Sequence, residues 1–587
     1  MRTSTGGTGG RPMIMSARGV VSSGHYLATG IGVDILRRGG NAMDAAAAVG
    51  FALTLVQPHQ CGIAGEVPVL TYSVGEQKVW AISGHGTAPR EATLERYLGY
   101  GLDLIPGNGF LPALVPSPVA TWIQGLRRFG TMRLADVLMP TIELAEQGWP
   151  MYSGLHGSIK GNAEKFRAQW PSSAAAFLPD DQVPETGTLW RQPQWAATFR
   201  KLIEAESRFP DRDAGLRAAH DAFYRGPIAE TIVSFCRSTP VEDASGQAHT
   251  GLLAMEDFAT YEARIEDPVS VNYRGVDVYK CSAWTQGPVM LQALTLLEGY
   301  DLAAMPQEDY IHTVVECMKL AFADREFYYG DPEFARVPFD RLLSKEYAAE
   351  RRKLVDPERA SLELRAGGYP PITAETVREV NALFAAASGG GSDGDTTKLD
   401  VIDAAGNMVS ATPSGGWLPS SPVIPGMGFP LGTRGQMFSL VAGHPNVIAP
   451  GKRPRTTLTP TLATRGGRPF MAWGSPGGDM QDQWGLLFFL NVVDFGMSLQ
   501  QAVESPTFWT SHFPSSFYPR AAAPGSLSLE GRIPKEVCEK LAARGHVIKV
   551  TGDWGGGNTV ATSIEESTGV RFAAASPRYA DSYAMGW

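Results

Sequence analysis

The chain of 587 residues carries a net charge of -9, with 43% hydrophobic and 19% charged residues, the balance of a globular protein with a large core rather than a disordered or fibrous one. No basic run exceeds Arg351-Arg352-Lys353, so the clustered positive charge that displaces counterions from a phosphate backbone is missing; this excludes a nucleic-acid groove and leaves a small molecule as the expected partner. Five scattered cysteines without C-x-x-C spacing exclude a thiolate zinc site and a disulfide framework, and read as reduced, mostly buried thiols.

Met1 to Pro12 is Gly/Thr-rich and lacks the apolar stretch of a secretory signal. The longest apolar run, Met43 to Val56, contains Asp44 and is too short to cross a bilayer of about 30 Å at about 1.5 Å per residue. No membrane partner is expected, and the expected location is the cytoplasm.

A helical pattern through Ile31-Gly32-Val33-Asp34-Ile35-Leu36 ends at Gly39-Gly40, a C-cap signal. A second helix begins near Asn41, an N-cap residue, and its Ala45-Ala46-Ala47-Ala48 core allows close approach of another element. Val67 to Tyr72 and Lys78 to Ile82 read as strands joined by the Gly75-Glu76 turn. From about Thr121 to Ala349 the chain is mainly helical, including Tyr310 to Phe327, with an alternating strand at Val269 to Tyr273. The class is mixed α and β, with strands often adjacent in sequence.

Ala385 to Asp395 is a Gly/Ser-rich linker, after which structure resumes abruptly at Thr396. Leu399 and Val401 alternate with Lys398 and Asp400, Asp403 to Asn407 turns the chain, and Met408 to Thr412 runs back as a hairpin.

A threonine hydroxyl is a weak nucleophile until a base takes its proton. An α-amino group, with an ordinary pKa of about 7.7–8.0, can be that base on the same residue. Thr396 acquires such an amine only if the Asp395–Thr396 bond is cut; otherwise it is a threonine opening an ordinary strand. Gly390-Gly391-Ser392-Asp393-Gly394 matches a G-x-S-x-G string but lacks the strand that a nucleophile elbow requires. The ten histidines show no paired ligand spacing, so neither a metal nor any other cofactor is expected.

Asp395-Thr396-Thr397-Lys398-Leu399-Asp400-Val401-Ile402-Asp403, followed by Gly406-Asn407, resembles the start of the small subunit of the gamma-glutamyltranspeptidases. Gly39 to Ala45, Leu320-Ala321-Phe322-Ala323-Asp324-Arg325, Gly330-Asp331-Pro332, Lys452 to Thr457 and Gly474-Ser475-Pro476-Gly477-Gly478 resemble further motifs of that family, so the likeness spans nearly the whole chain. The resemblance implies an α+β, four-layer αββα sandwich of the N-terminal nucleophile hydrolase type. It implies an autocleaved precursor whose segments, 1–395 and 396–587, remain together as a heterodimer.

It also implies residue roles. Thr396 is the nucleophile and Asp395/Thr396 the cleavage point. Thr412 and Ser414 are hydroxyls that orient the nucleophile, unless they are plain strand polarity. Gly477 and Gly478 are the oxyanion hole, where backbone N–H groups need residues without side chains, although a Gly-Gly after proline is by itself a turn. Thr456 and Thr457 set the register of that region and are expected to face substrate.

Three positions depart from the family pattern. His85, in His85-Gly86-Thr87-Ala88-Pro89, stands where the family has an arginine, Gly432 to Met437 replaces an Asn-Asn-Gln-Met-Asp-Asp stretch, and Gly416 replaces an asparagine. A gamma-glutamyl group needs a cation for its carboxylate and acidic or amide groups for its ammonium. Their loss, with Arg434 gained, points to a small acid amide without an α-amino group. Leu431 to Gly435 with Phe438-Ser439-Leu440 resembles the oxamate amidohydrolase branch. Arg434 is read as an anion binder or a solvated loop arginine, and His85 as a substrate contact or a structural histidine. Two alternatives remain: a genuine glutathione hydrolase or transpeptidase, and an unprocessed, non-catalytic binding protein.

Overall fold

The Gly39-Gly40 break separates helices Tyr26–Arg37 and Ala42–Val56 in a computed structural model that describes residues 10–368, 380, 382 and 395–587. Of the expected linker, only Asp395 falls within these residues. Gly39 has φ 92°, a left-handed conformation that favours glycine. Asn41 Oδ1 accepts from the amides of Met43 and Asp44, while the Asp44 carboxylate accepts from the Asn41 amide. This reciprocal box fixes the start of the second helix. Its small residues permit tight packing, because a Cβ at Gly50 would stand 2.3 Å from the Trp122 ring.

Fourteen strands form two seven-stranded antiparallel sheets. The first runs in the order Tyr583–Gly586, Val20–Ser23, Leu399–Ile402, Met408–Ala411, Val69–Ser73, Lys78–Ile82, Ile265–Glu266. The second runs Ile14–Ser16, Arg571–Ala575, Val560–Ile564, Arg468–Gly474, Thr461–Arg465, Val276–Lys280, Val269–Tyr273. They pack face to face through Val20, Leu70, Ile402 and Met408 against Leu462, Val560 and Ala573. Tyr26–Arg37 and Ala42–Val56 cover the outer face of the first sheet. Pro288–Leu297, Gln307–Tyr328 and Gln481–Val493 form the core outside the second. The architecture is therefore α+β in four layers, αββα, as expected, and both sheets draw strands from either side of residue 395.

The expected hairpin pairs Leu399 with Ala411 and Ile402 with Met408. Its polar face, Lys398 and Asp400, does not meet solvent, because the second sheet closes over it. Lys398 Nζ is paired with the Asp400 carboxylate and donates to Ser410 Oγ at 2.9 Å, and Lys280 Nζ donates to Asp482 at 2.9 Å and to Thr461 at 2.6 Å. Burial lowers the Lys398 ammonium to about 8 against the pull of Asp400, and raises the Asp400 carboxyl to about 6. Charges in such a place persist because each is paired and hydrogen-bonded. All five cysteines are free and buried, and no helix among the described residues is long and apolar enough to cross a membrane.

Gly50→Ala is expected to lower stability by roughly 1–3 kcal/mol through overpacking against Trp122. Gly30→Ala, where a Cβ meets nothing within 4 Å, is expected to leave it unchanged or raise it by up to about 1 kcal/mol. Urea midpoints of the two variants distinguish these outcomes.

Candidate active site around Thr396

The hairpin register continues beyond its strands and sets Thr396 opposite Ser414 in an isolated antiparallel bridge. Opposed residues share a face, so the two hydroxyls meet at 3.1 Å. Ser414 Oγ donates to the carbonyl oxygen of Asp395 at 2.8 Å and accepts from Arg434 Nη2 at 2.7 Å. The Thr396 backbone N–H donates to Asp395 Oδ1 at 2.8 Å. Thr396 itself is fully buried.

Glu66 frames the other side. It exchanges backbone hydrogen bonds with Ser414, each 2.9 Å, and its carboxylate accepts from Arg434 Nε at 3.0 Å. Gly415 has φ 70°, and a Cβ there would fall 2.2 Å from Glu66 Oε2, so only glycine lets the turn pass this carboxylate. The Arg434 guanidinium lies 5.1 Å from the Trp417 ring centroid and 5.7 Å from that of Phe517, within cation–π range of both. Arg434 is 1% exposed, which discards the solvated-loop reading. Burial raises the Glu66 carboxyl above its ordinary value even against Arg434.

Gly477 and Gly478 take φ 126° and 55°, and a Cβ would lie 2.2 Å from Trp484 at the first and 2.9 Å from Phe517 at the second. Neither N–H has a hydrogen-bond partner among the described residues, the condition for donors kept for a developing oxyanion. Gln286 Nε2 donates to the Gly478 carbonyl at 3.3 Å. Arg325 Nη1 donates to Gln286 Oε1 at 2.8 Å and pairs with Asp479, while Nη2 donates to the Pro514 carbonyl at 3.1 Å. Ser516 N–H donates to Asp479 Oδ2 at 2.8 Å. Arg325 thereby fastens the Gly477-Gly478 loop to the loop that carries Phe517. Beside it, burial would raise the Glu326 carboxyl, but the guanidiniums of Arg455, Arg325 and Arg520 hold it down to about 2.

Of the two hairpin hydroxyls only Ser414 touches Thr396; Thr412 Oγ1 is buried without a partner, and its amide donates to the Pro68 carbonyl at 3.2 Å. The Thr456 carbonyl accepts from the Gln286 backbone N–H at 2.7 Å, which ties it to the residue that supports the Gly477-Gly478 loop, while Thr457 Oγ1 is buried without a partner. His85 lies edge-on to Trp284 at 6.3 Å, with Nδ1 2.9 Å from the Gly86 carbonyl and Nε2 unpartnered. Burial lowers it to about 3, so the ring is neutral at ordinary pH. Glu66, Gln286, Trp417 and Phe517 escaped the sequence reading, because no local spacing links them to Thr396. Arg325 was legible only as part of a motif without a role.

His312, Glu316 and His546 bring three metal-ligating side chains together, a grouping hidden from the sequence by the distance of His546. Glu316 is held by Lys319 at 2.6 Å and Arg365 at 3.1 Å, and His312 Nδ1 lies 2.9 Å from His546 Nε2. Two cations on the carboxylate oppose a metal ion there, and the cluster reads as a buried polar brace.

A family model described as gamma-glutamyltranspeptidase matches residues 28–587. The acylase ACY 1 proenzyme of Pseudomonas sp. (strain SE83) is 34% identical over 560 residues, covering 93% of this chain and 90% of that protein. The oxamate amidohydrolase proenzyme of Klebsiella pneumoniae subsp. pneumoniae is 29% identical over 548 residues, covering 92% and 93%. Among solved structures, LmbA2991HD aligns with a TM-score of 0.92 at 43% identity, covering 98% of this chain and 99% of that one. The cephalosporin acylase from Bacillus halodurans aligns with a TM-score of 0.83 at 29% identity, covering 100% and 99%.

Removing the support of the glycine loop through Gln286→Ala is expected to lower kcat on the order of tenfold with little change in KM, since the lost rigidity matters where charge develops. Steady-state kinetics check it; a KM effect alone would place Gln286 in substrate binding instead. Acid lability is also expected. His25, His85, His444 and His512 are each lowered by burial to about 3, whereas the unfolded rings titrate near 6.5. Between these values the unfolded chain binds protons that the fold refuses, so stability falls as pH drops from about 6.5. Urea midpoints at pH 7.5 and pH 5 measure the effect, and a flat profile would mean that these rings are charged within the fold.

Proposed function

The chain belongs to the gamma-glutamyltranspeptidase family, and from that premise we propose that Thr396 cuts the chain after Asp395 and then hydrolyses an acid amide through an acyl-enzyme. Segments 1–395 and 396–587 remain together, because each sheet contains strands of both. The observation that carries the reading is the contact of Thr396 Oγ1 with Ser414 Oγ, itself bonded to the Asp395 carbonyl. An N-terminal nucleophile hydrolase needs a hydroxyl and a polarised carbonyl side by side before it has an amine.

Once the bond is cut, the freed α-amine takes the hydroxyl proton as Thr396 Oγ attacks the substrate carbonyl. The amides of Gly477 and Gly478 receive the oxyanion, the same amine protonates the departing nitrogen, and water releases the acid. For the substrate, Arg434 supplies a guanidinium suited to a carboxylate, and Gly432 to Met437 with Gly416, in place of the family's acidic and amide residues, supply nothing for an α-ammonium. An oxamate-like acid amide fits this set. A longer acyl amide is the second reading, favoured by the apolar walls of Trp417 and Phe517 beside Arg434 and by the likeness to acylases.

Denatured intact mass of purified protein is expected to give two fragments meeting at Asp395/Thr396, and one uncleaved chain for Thr396→Ala. A single chain in both samples sinks the reading. On matured protein, oxamate and monoamides of longer dicarboxylic acids are expected to turn over faster than a gamma-glutamyl anilide; the reverse order restores a glutathione hydrolase or transpeptidase. Glu66→Gln removes the carboxylate that competes for Arg434 and is expected to lower KM for acidic amides about fivefold, by roughly 1 kcal/mol of relieved competition, with neutral amides unaffected.

A further inference from the structure

Ser414 Oγ has three polar neighbours, the Asp395 carbonyl oxygen at 2.8 Å, Arg434 Nη2 at 2.7 Å and Thr396 Oγ1 at 3.1 Å. A hydroxyl offers one proton and two lone pairs, a guanidinium only donates and a carbonyl only accepts. The Ser414 proton must therefore point at Asp395, one lone pair is taken by Arg434, and the other is left for the Thr396 hydroxyl to donate into. The hydrogen bonds run in one direction, from Thr396 to Ser414 to the carbonyl that Thr396 would attack.

We propose that Ser414 and Arg434 form the proton relay of self-cleavage, a role for Arg434 that precedes and is separate from substrate binding. As Thr396 Oγ bonds to the Asp395 carbonyl carbon, its proton passes to Ser414 Oγ while the Ser414 proton passes to the Asp395 carbonyl oxygen. The product is a neutral hydroxyl-bearing five-membered ring, so no unsolvated oxyanion forms and no outside base is needed. Return of that hydroxyl proton through Ser414 to the ring nitrogen reforms the carbonyl as the C–N bond breaks. Asp395 is then esterified to Thr396 Oγ with the amine free, and water splits the ester into the Asp395 carboxylic acid and the Thr396 hydroxyl. Atoms balance with water as the one co-reactant.

Arg434 matters because Ser414 Oγ becomes electron-rich midway through the transfer. A permanently charged donor 2.7 Å away stabilises that state, and more so in a buried site than in water. Glu66 aims the guanidinium through Nε at 3.0 Å, and Trp417 and Phe517 flank it. Glycine is required at position 415 for Glu66 to lie there. The relay thus belongs to residues that are adjacent only in the fold.

The inference rests on Thr396 as nucleophile, and its test separates the two. The full chain is made by cell-free synthesis, and cleavage is followed by intact mass for wild type, Thr396→Ala, Ser414→Ala, Arg434→Ala and Arg434→Lys. Expected are no cleavage for Thr396→Ala, a slowing on the order of 100-fold or more for Ser414→Ala and Arg434→Ala, partial recovery with Arg434→Lys, and recovery of Arg434→Ala by added ethylguanidinium. Wild-type cleavage is expected to slow at least twofold in deuterium oxide, a measurement that needs no variant to fold. Wild-type rates in Ser414→Ala or Arg434→Ala, or no isotope effect, overturn the relay while leaving the nucleophile intact. Cleavage of Thr396→Ala overturns the reading beneath it.

Discussion

A slip of one residue in the hairpin between Leu399–Ile402 and Met408–Ala411 would turn every side chain of one strand to the opposite face, and Ser414 would no longer meet Thr396. The register is fixed from both sides. Val20–Ser23 and Val69–Ser73 flank the hairpin in the same sheet, Leu399 and Val401 pack into the helical core, and Ile402 and Met408 pack between the sheets. The Thr396–Ser414 contact, the polarised Asp395 carbonyl and the position of Arg434 all follow from that pairing.

Paired charge in a closed interior is the second constraint. Glu66 with Arg434, Lys398 with Asp400, Lys280 with Asp482, and the Arg325–Asp479–Glu326 group are all buried. Each charge loses hydration on folding and regains it only through its partner, so breaking one pair strands the other member. Such groups hold a geometry more sharply than apolar packing does, because a displaced carboxylate has nowhere else to find donors. That stiffness suits the proposed site, in which a carbonyl carbon, a hydroxyl and two amides must be in place before any substrate arrives. The glycines complete it: Gly415, Gly477 and Gly478 sit where a side chain would strike Glu66, Trp484 or Phe517.

Local signals were strong wherever a short-range rule governs the chain. Asn41 with Asp44, Gly39-Gly40 and the Asp403–Asn407 turn act over a few residues, and the helices and hairpin appear where those signals put them. Lys398 and Asp400 show the limit. Alternation marks them as one face of a strand, but whether that face meets water or a second sheet depends on strands more than 60 residues away in sequence. Arg434 was open between an anion binder and a loop arginine for the same reason. Its partners Glu66, Ser414, Trp417 and Phe517 come from three separate stretches of chain.

The sequence by itself determined the elements, the hairpin, the candidate nucleophile and, through motif resemblance, the family and its sandwich, because capping, alternation and turn chemistry are local and motifs are contiguous. Only the tertiary structure decided that Ser414 rather than Thr412 meets Thr396, that Arg434 is buried against Glu66, and that Arg325 braces the glycine loop. Those outcomes depend on register between strands and on which charges are desolvated together, quantities that exist only once distant segments have packed.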